Sequence, residues 1–217
     1  MREDGGDSLA EGMEAGQRLR INLQQARYFD GAVDVFDQEQ PPHIMERLEL
    51  IVEEARIQAG ETVLDVGAGV GVLVPLIRRR MPGRIVACEL SEEMLARLRS
   101  HHPEVEAYLG DVSDLPLPDA SLDVVFMNAV FPNIVDKRAA LGNCARMLRM
   151  GGRLVISHPE GRSFVQGIRE VVPFPLDPLP IFPQLRRMLR SFPFKLHHYL
   201  DLQGLYVAVV MRQERRG

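Results

Sequence analysis

Residues 62–71, TVLDVGAGVG, decide how the rest of the chain is read. A β-branched and apolar run passes through Asp65 into Gly67, Gly69 and Gly71, so a buried strand ends in a turn that tolerates no side chain at alternate positions. A glycine turn between a strand and a helix lets the backbone approach a bound nucleoside ligand. The nicotinamide fingerprint spaces its glycines G-x-G-x-x-G, whereas here the pattern is G-x-G-x-G and Val72 stands where the third glycine would fall. Asp65 adds a second distinction: a carboxylate at the mouth of the turn repels a pyrophosphate but holds an ammonium, directly or through water.

Working outward, strand-like and helix-like patterns alternate. Downstream come a helix over 72–81 with Pro75 near its first turn, a strand at RIVACEL, and a helix at SEEMLARLRSHH with Ser91 as its N-cap. Two strands follow, VEAYLGD and LDVVFMNAV, then a helix from Asp136 that Gly151 stops, and a fifth strand at GRLVISHP. Upstream, RINLQQARYFDGAVDVFD reads as helical with a break at Gly31, and Ile44, Leu48, Ile51, Val52 and Ala55 mark an amphipathic helix that ends at Gly60. Short apolar strands joined by helices predict a parallel sheet covered on both faces. KLHHYLDL and LYVAVVMR, separated by Gln203 and Gly204, predict an antiparallel hairpin at the sheet edge.

The chain is 46% apolar and 26% charged, a globular composition without an apolar run near the roughly 18 residues of a membrane span. Residues 1–18 are read as a flexible tail and 19–217 as one domain. Cys88 and Cys144 are too few for a disulfide framework or a zinc cage and are read as reduced, partly buried thiols of a cytoplasmic protein. A net charge of −4, with arginines scattered through helices, lacks the footprint of a nucleic-acid binder.

Glu89 closes the second strand near the position from which an acidic side chain reaches a ribose diol, a feature common to nicotinamide and adenosyl cofactors. In GDVSDLPLPDASLDVVF, Asp111 can accept a bond from an adenine amino group while the Val112 N–H serves a ring nitrogen; both Asp111 and Asp114 also suit turn capping. Together VLDVGAGVG, ACEL, GDVSDLPLPDASLDVVF and RMLRMGGRLVIS resemble the class I S-adenosylmethionine-dependent methyltransferases, and within them the branch of the ubiquinone and menaquinone biosynthesis enzymes. The resemblance covers about 41–160. It implies a three-layer α/β/α Rossmann-like sandwich with a mostly parallel seven-stranded sheet and a C-terminal antiparallel hairpin. It implies S-adenosylmethionine as cofactor and S-adenosylhomocysteine as product, with Asp65, Gly67, Ala68 and Gly69 at the methionine part, Glu89 at the ribose, and Leu90, Asp111 and Val112 at the adenine. Asn128 would lie near the sulfonium, or else serve as a strand-end amide bonded to loop backbone.

The acceptor is expected to be a small, apolar organic molecule, methylated by in-line displacement, a reaction in which positioning lowers most of the barrier. His158, after the fifth strand, is the candidate base, with a backbone-bonded loop histidine as the alternative. Tyr28, His43, Phe174 and Phe182 are candidate acceptor contacts. No metal is expected, because Asn128, Ala129, Val130 and His158 lack the carboxylates of magnesium-assisted methylation. Residues 160–193 carry prolines 173, 175, 178, 180 and 183 among large apolar residues and are read as an acceptor-side insertion or lid, or as a segment packed on the sheet. The remaining alternatives are a nicotinamide-dependent oxidoreductase and a cofactor-binding protein without catalysis. The partner is a small molecule, with neither nucleic acid nor a membrane span, and the protein is a monomer or homodimer.

Overall fold

A computed structural model describes residues 15–214. In chain order the elements are α1 (Ala15–Asp30), α2 (Val33–Phe36), α3 (Pro42–Glu54), β1 (Thr62–Val66), α4 (Val74–Arg78), β2 (Arg84–Glu89), α5 (Glu92–His101), β3 (Glu106–Leu109) and β4 (Leu122–Asn128). Then follow α6 (Lys137–Met147), β5 (Leu148–His158), α7 (Gly161–Ile168), α8 (Phe182–Leu189), β6 (Phe194–Leu202) and β7 (Leu205–Arg212). Short 3-10 turns occupy Val112–Asp114 and Phe131–Asn133.

The strands form one sheet in the order β3-β2-β1-β4-β5-β7-β6. The first five run parallel; β7 lies antiparallel to β5, and β6 closes the edge antiparallel to β7. This is the predicted architecture, hairpin included. Alternation along each central strand sends side chains to two cores: Leu64, Val66, Val125 and Met127 face α6, α7 and α8, while Val63, Val124 and Phe126 face α3 and α4. Because β2 and β4 flank β1 on opposite sides, the connections leaving β1 and β4 diverge and open a crevice at their carboxyl ends.

Several boundaries differ from the sequence reading. Residues 15–18, assigned to the tail, form the start of α1, and residues 1–14 lie outside the described residues. α4 is a five-residue helix rather than one spanning 72–81, although Pro75 does sit at its first turn. α6 stops at Met147, not Gly151, because Leu148 pairs with Leu122 and already belongs to β5. α7 was not foreseen, since Gly161, Ser163 and Gly167 are poor helix formers.

The proline-bearing stretch runs extended, as five prolines require, but Phe174, Leu176 and Leu179 point into the core shared with α6 and α8. Lys137 Nζ donates to Asp177 Oδ2 at 2.6 Å and to the Ile134 carbonyl at 2.8 Å, and the Asp177 N–H donates to the Pro132 carbonyl at 3.0 Å. The segment is thereby fastened to the turn after β4. Among the described residues no helix is long and apolar enough to cross a membrane.

Candidate functional site

The three glycines after β1 all have positive φ, +62° at Gly67, +55° at Gly69 and +93° at Gly71, a region L side chains enter only with strain. Their surroundings separate them. A Cβ on Gly67 would lie 2.3 Å from Val130 Cγ2, and one on Gly71 2.6 Å from His102 Cδ2, so these two are glycines because the fold packs against them. A Cβ on Gly69 would meet no atom of the described residues within 4 Å. Gly69 is thus the position where open space, not protein, borders the turn. Ala68, between them, is buried against α3 and α4.

Beside the turn, Asp65 is only 2% exposed and accepts no side-chain hydrogen bond from the described residues. Burial, and then the nearby Glu89, push its carboxyl up to about 8. An unpartnered buried acid costs stability unless it neutralises or meets a cation. Glu89 is better satisfied: Oε2 accepts the Gly69 N–H at 2.9 Å, and Oε1 accepts those of Leu90 and Ser91 at 2.8 and 3.0 Å. Burial still raises its carboxyl, against the lowering effect of these N–H groups. Glu89 therefore shapes the glycine turn and the start of α5 through backbone N–H groups.

At the end of β3, Asp111 Oδ1 accepts the Ser113 N–H at 2.8 Å and Oδ2 accepts Asn22 Nδ2 at 2.7 Å. The capping alternative is therefore realised for Asp111. It is not realised for Asp114, which pairs with Arg18 instead. Val112 is buried and starts the 3-10 turn. A cleft of about 610 Å³ opens between one face of α1 and a floor that includes Leu90, Asp111 and Leu115. Asn128 Oδ1 accepts Ser157 Oγ at 3.0 Å, a side-chain partner rather than the loop backbone of the alternative reading.

The acceptor candidates divide. His158 is buried, its Nδ1 accepts the Glu160 N–H at 3.1 Å, and burial lowers its pKa to about 4. With Nδ1 accepting that N–H, His158 has the geometry of the backbone-bonded alternative, and the lone pair that a base would use is engaged in this structure. Tyr28 and Phe174 come together edge to face at 5.3 Å, with Phe29 completing the cluster. Phe174 is buried, whereas Phe182 is 45% exposed and rests on Tyr199 at 5.5 Å, so the two residues read as one lid do different things. His43 is exposed on the first turn of α3.

Sequence reasoning missed the part played by α1. Besides Asn22, Gln25 Nε2 donates to the Asn133 carbonyl at 2.9 Å, Gln24 to the Pro173 carbonyl, and Asp30 Oδ1 accepts Ser91 Oγ at 2.6 Å. α1 thus lies across the carboxyl edge of the sheet. No local pattern announces such contacts, since each joins residues far apart in sequence.

Residues 64–156 match the family model described as a methyltransferase domain. An uncharacterized methyltransferase of Mycobacterium bovis is 32% identical over 191 residues, covering 85% of this chain and 76% of that protein. A probable S-adenosylmethionine-dependent methyltransferase of Mycolicibacterium smegmatis is 35% identical over 109 residues, 50% of this chain and 42% of that one. The chain spans less than half the length of several curated relatives, 31% to 42% of each. The fold is shared with the chain solved in complex with the Haloferax volcanii Trm112 methyltransferase activator, at TM-score 0.75 and 19% identity, over 86% of this chain and 98% of that one. With the seven-stranded sheet, the glycine turn and the acidic strand ends in place, the chain belongs to the class I S-adenosylmethionine-dependent methyltransferases, the family whose cofactor is S-adenosylmethionine.

Proposed function

We propose that this chain binds S-adenosylmethionine across the carboxyl ends of β1, β2 and β3 and methylates a small, apolar organic acceptor by in-line displacement. The observation that carries this is the pairing of Asp65, buried without a side-chain partner, with Gly69, whose missing Cβ faces open space. A cationic ligand is what such a carboxyl lacks, and no Lys or Arg occupies residues 62–71 to favour a pyrophosphate instead. Asp65, Gly67, Ala68 and Gly69 would hold the methionine part, Glu89 the ribose, and Leu90, Asp111 and Val112 the adenine, with Asn128 beside the sulfonium. Bound there, the cofactor supplies an electrophilic methyl group. The protein's share is to bind and orient both reactants and to exclude water, which suits an acceptor side walled by Tyr28, Phe29 and Phe174. Residues 19–217 then act as one domain, with 160–193 adding Phe174 to the wall that Tyr28 and Phe29 of α1 begin.

Titration calorimetry with S-adenosylhomocysteine tests the cofactor half. We expect micromolar affinity in the wild type and a loss of tenfold or more in both Asp65→Ala and Glu89→Ala, because each removes a charge-assisted bond of roughly 1.5–3 kcal/mol. Unchanged affinity in both variants would remove the assignment. Methyl transfer to apolar against polar acceptors tests the other half and separates an active enzyme from a cofactor-binding protein.

A further inference from the structure

α4 and α8 both end in a cluster of arginines, and the fold treats the two clusters differently. At the end of α4, Arg78, Arg79 and Arg80 pair with Glu104, Glu49 and Glu53 in turn. α8 carries Arg186 and Arg187, with Arg190 at its C-cap; all are exposed, and none of the three pairs with an acid among the described residues. Residues 178–200 contain no Asp or Glu. The acids that flank this stretch are already engaged, Asp177 by Lys137 at 2.6 Å and Asp201 by Arg162 at 3.1 Å. In a chain whose net charge is −4, α8 thus bears an uncompensated positive charge.

Leu185 and Leu189 of α8 are buried, so the opposite side of the helix faces solvent. Phe182, Arg186 and Arg190 recur every four residues and form one ridge beside Arg187. Ile181 and Phe182 are 38% and 45% exposed at the start of that ridge. The helix dipole gives a reason for cations in the last turn, but none for an aliphatic and an aromatic side chain left in water at the first. An apolar tip beside a basic ridge is the composition with which a helix lies on an anionic lipid surface: the apolar side chains enter the acyl boundary and the guanidinium groups meet phosphates. A protein partner fits less well. Eight residues make a helix about 12 Å long, whereas a standard protein interface takes about 800 Å² from each side. A lipid surface sets no such demand on area or shape.

We infer that α8 is a docking surface for an anionic lipid bilayer, on which Arg186, Arg187 and Arg190 bind headgroup phosphates while Ile181 and Phe182 enter the interface. The inference rests on the charge and exposure of α8, and it relies on the proposed function only for what docking achieves. α8 follows directly on the extended stretch that adds Phe174 to the acceptor wall, and the Lys137–Asp177 pair fastens that stretch to the turn after β4. The wall and the docking ridge are therefore held to one scaffold. A bilayer concentrates apolar molecules, so a chain seated on it through α8 meets an apolar acceptor where that acceptor is most abundant.

The test is flotation of the full chain with vesicles of phosphatidylcholine alone and of phosphatidylcholine mixed with phosphatidylglycerol. Binding to the anionic vesicles should exceed binding to the neutral ones by about tenfold or more and should fall as salt is raised. The triple variant Arg186→Gln, Arg187→Gln, Arg190→Gln should lose that preference, and Phe182→Ser should weaken binding while leaving its salt dependence. Arg79→Gln with Arg80→Gln, which removes charge that the fold already pairs, should change binding by less than about threefold. Thermal unfolding checks that each variant is folded. Equal binding to both vesicles, an unchanged preference in the triple variant, or an equal loss in the α4 variant would overturn the proposal. Binding to polyglutamate or an oligonucleotide but to neither vesicle would assign the ridge to an acidic macromolecule and overturn it likewise. A wild-type chain that floats with anionic vesicles but binds no S-adenosylhomocysteine would instead overturn the cofactor reading and leave this inference standing.

Discussion

The turn after β1 and the extended stretch between α7 and α8 both lie on connections at the carboxyl edge of the sheet, and both draw attention in the sequence, one by its glycines and the other by its prolines. The turn is defined by side chains it lacks. Gly67 and Gly71 make room for Val130 and His102, and Gly69 leaves room that no atom of the described residues fills. The extended stretch is defined by side chains it has, and Phe174, Leu176 and Leu179 spend them on the core. A residue type that is wrong for structure marks a site more clearly than one that is merely abundant.

Separating Phe174 from Phe182 gives the largest expected effect. Phe174→Ser should cost about 3–5 kcal/mol in chemical denaturation, as loss of a buried ring does, while Phe182→Ser should stay within about 1 kcal/mol of wild type. Equal costs would mean that the segment is a uniform cover after all. Next comes the turn itself. Gly67→Val should lose about 3 kcal/mol, combining an overpacked contact with Val130 and a strained φ, so its failure to bind ligand would report on folding. Gly69→Ala meets only the φ penalty, roughly 1–2 kcal/mol, and should lose S-adenosylhomocysteine affinity beyond that cost.

A third effect is smaller and pH-dependent. With its carboxyl raised to about 8, Asp65 keeps in the native state a proton that the unfolded chain releases near pH 4. Its contribution to stability is therefore greatest below the ordinary carboxylate range and falls as pH rises toward 8. A ligand ammonium favours the ionised form, so binding should release a proton and tighten between pH 6 and 8. Calorimetry in buffers of different ionisation enthalpy reads that proton directly, and Asp65→Asn should abolish it. The smallest effect belongs to His158→Ala, for which turnover should remain within about threefold of wild type, since Nδ1 caps a turn and the neutral ring has no lone pair to spare. A drop of a hundredfold would restore the base role.

What was legible follows the range of the forces involved. β1, β2 and β4 announce themselves because Val63, Leu64, Val86 and Val125 must be buried whatever else the chain does. Ser91 is readable as a cap because its partner, the Met94 N–H, is three residues away. Asn22 and Asp111 are 89 residues apart, and nothing near Asn22 hints at a carboxylate. His158 stood on the correct edge of the sheet, but the bond that engages it depends on the backbone of Glu160 turning back, which no residue type specifies. The start of β5 was misread because Leu148, Arg149 and Met150 continue a helical pattern, and only pairing with Leu122 turns them into a strand.

The position of β7 bears on how the chain is made. It fills the slot between β5 and β6, yet 46 residues separate His158 from Leu205. At roughly 5–20 residues per second of synthesis, about 2–9 s pass before that strand emerges. Throughout this interval β5 offers an open outer edge, with Leu154, Val155 and Ile156 destined for the centre of the finished sheet. On the ribosome, this protein presents a sticky half-sheet until its antiparallel strand arrives.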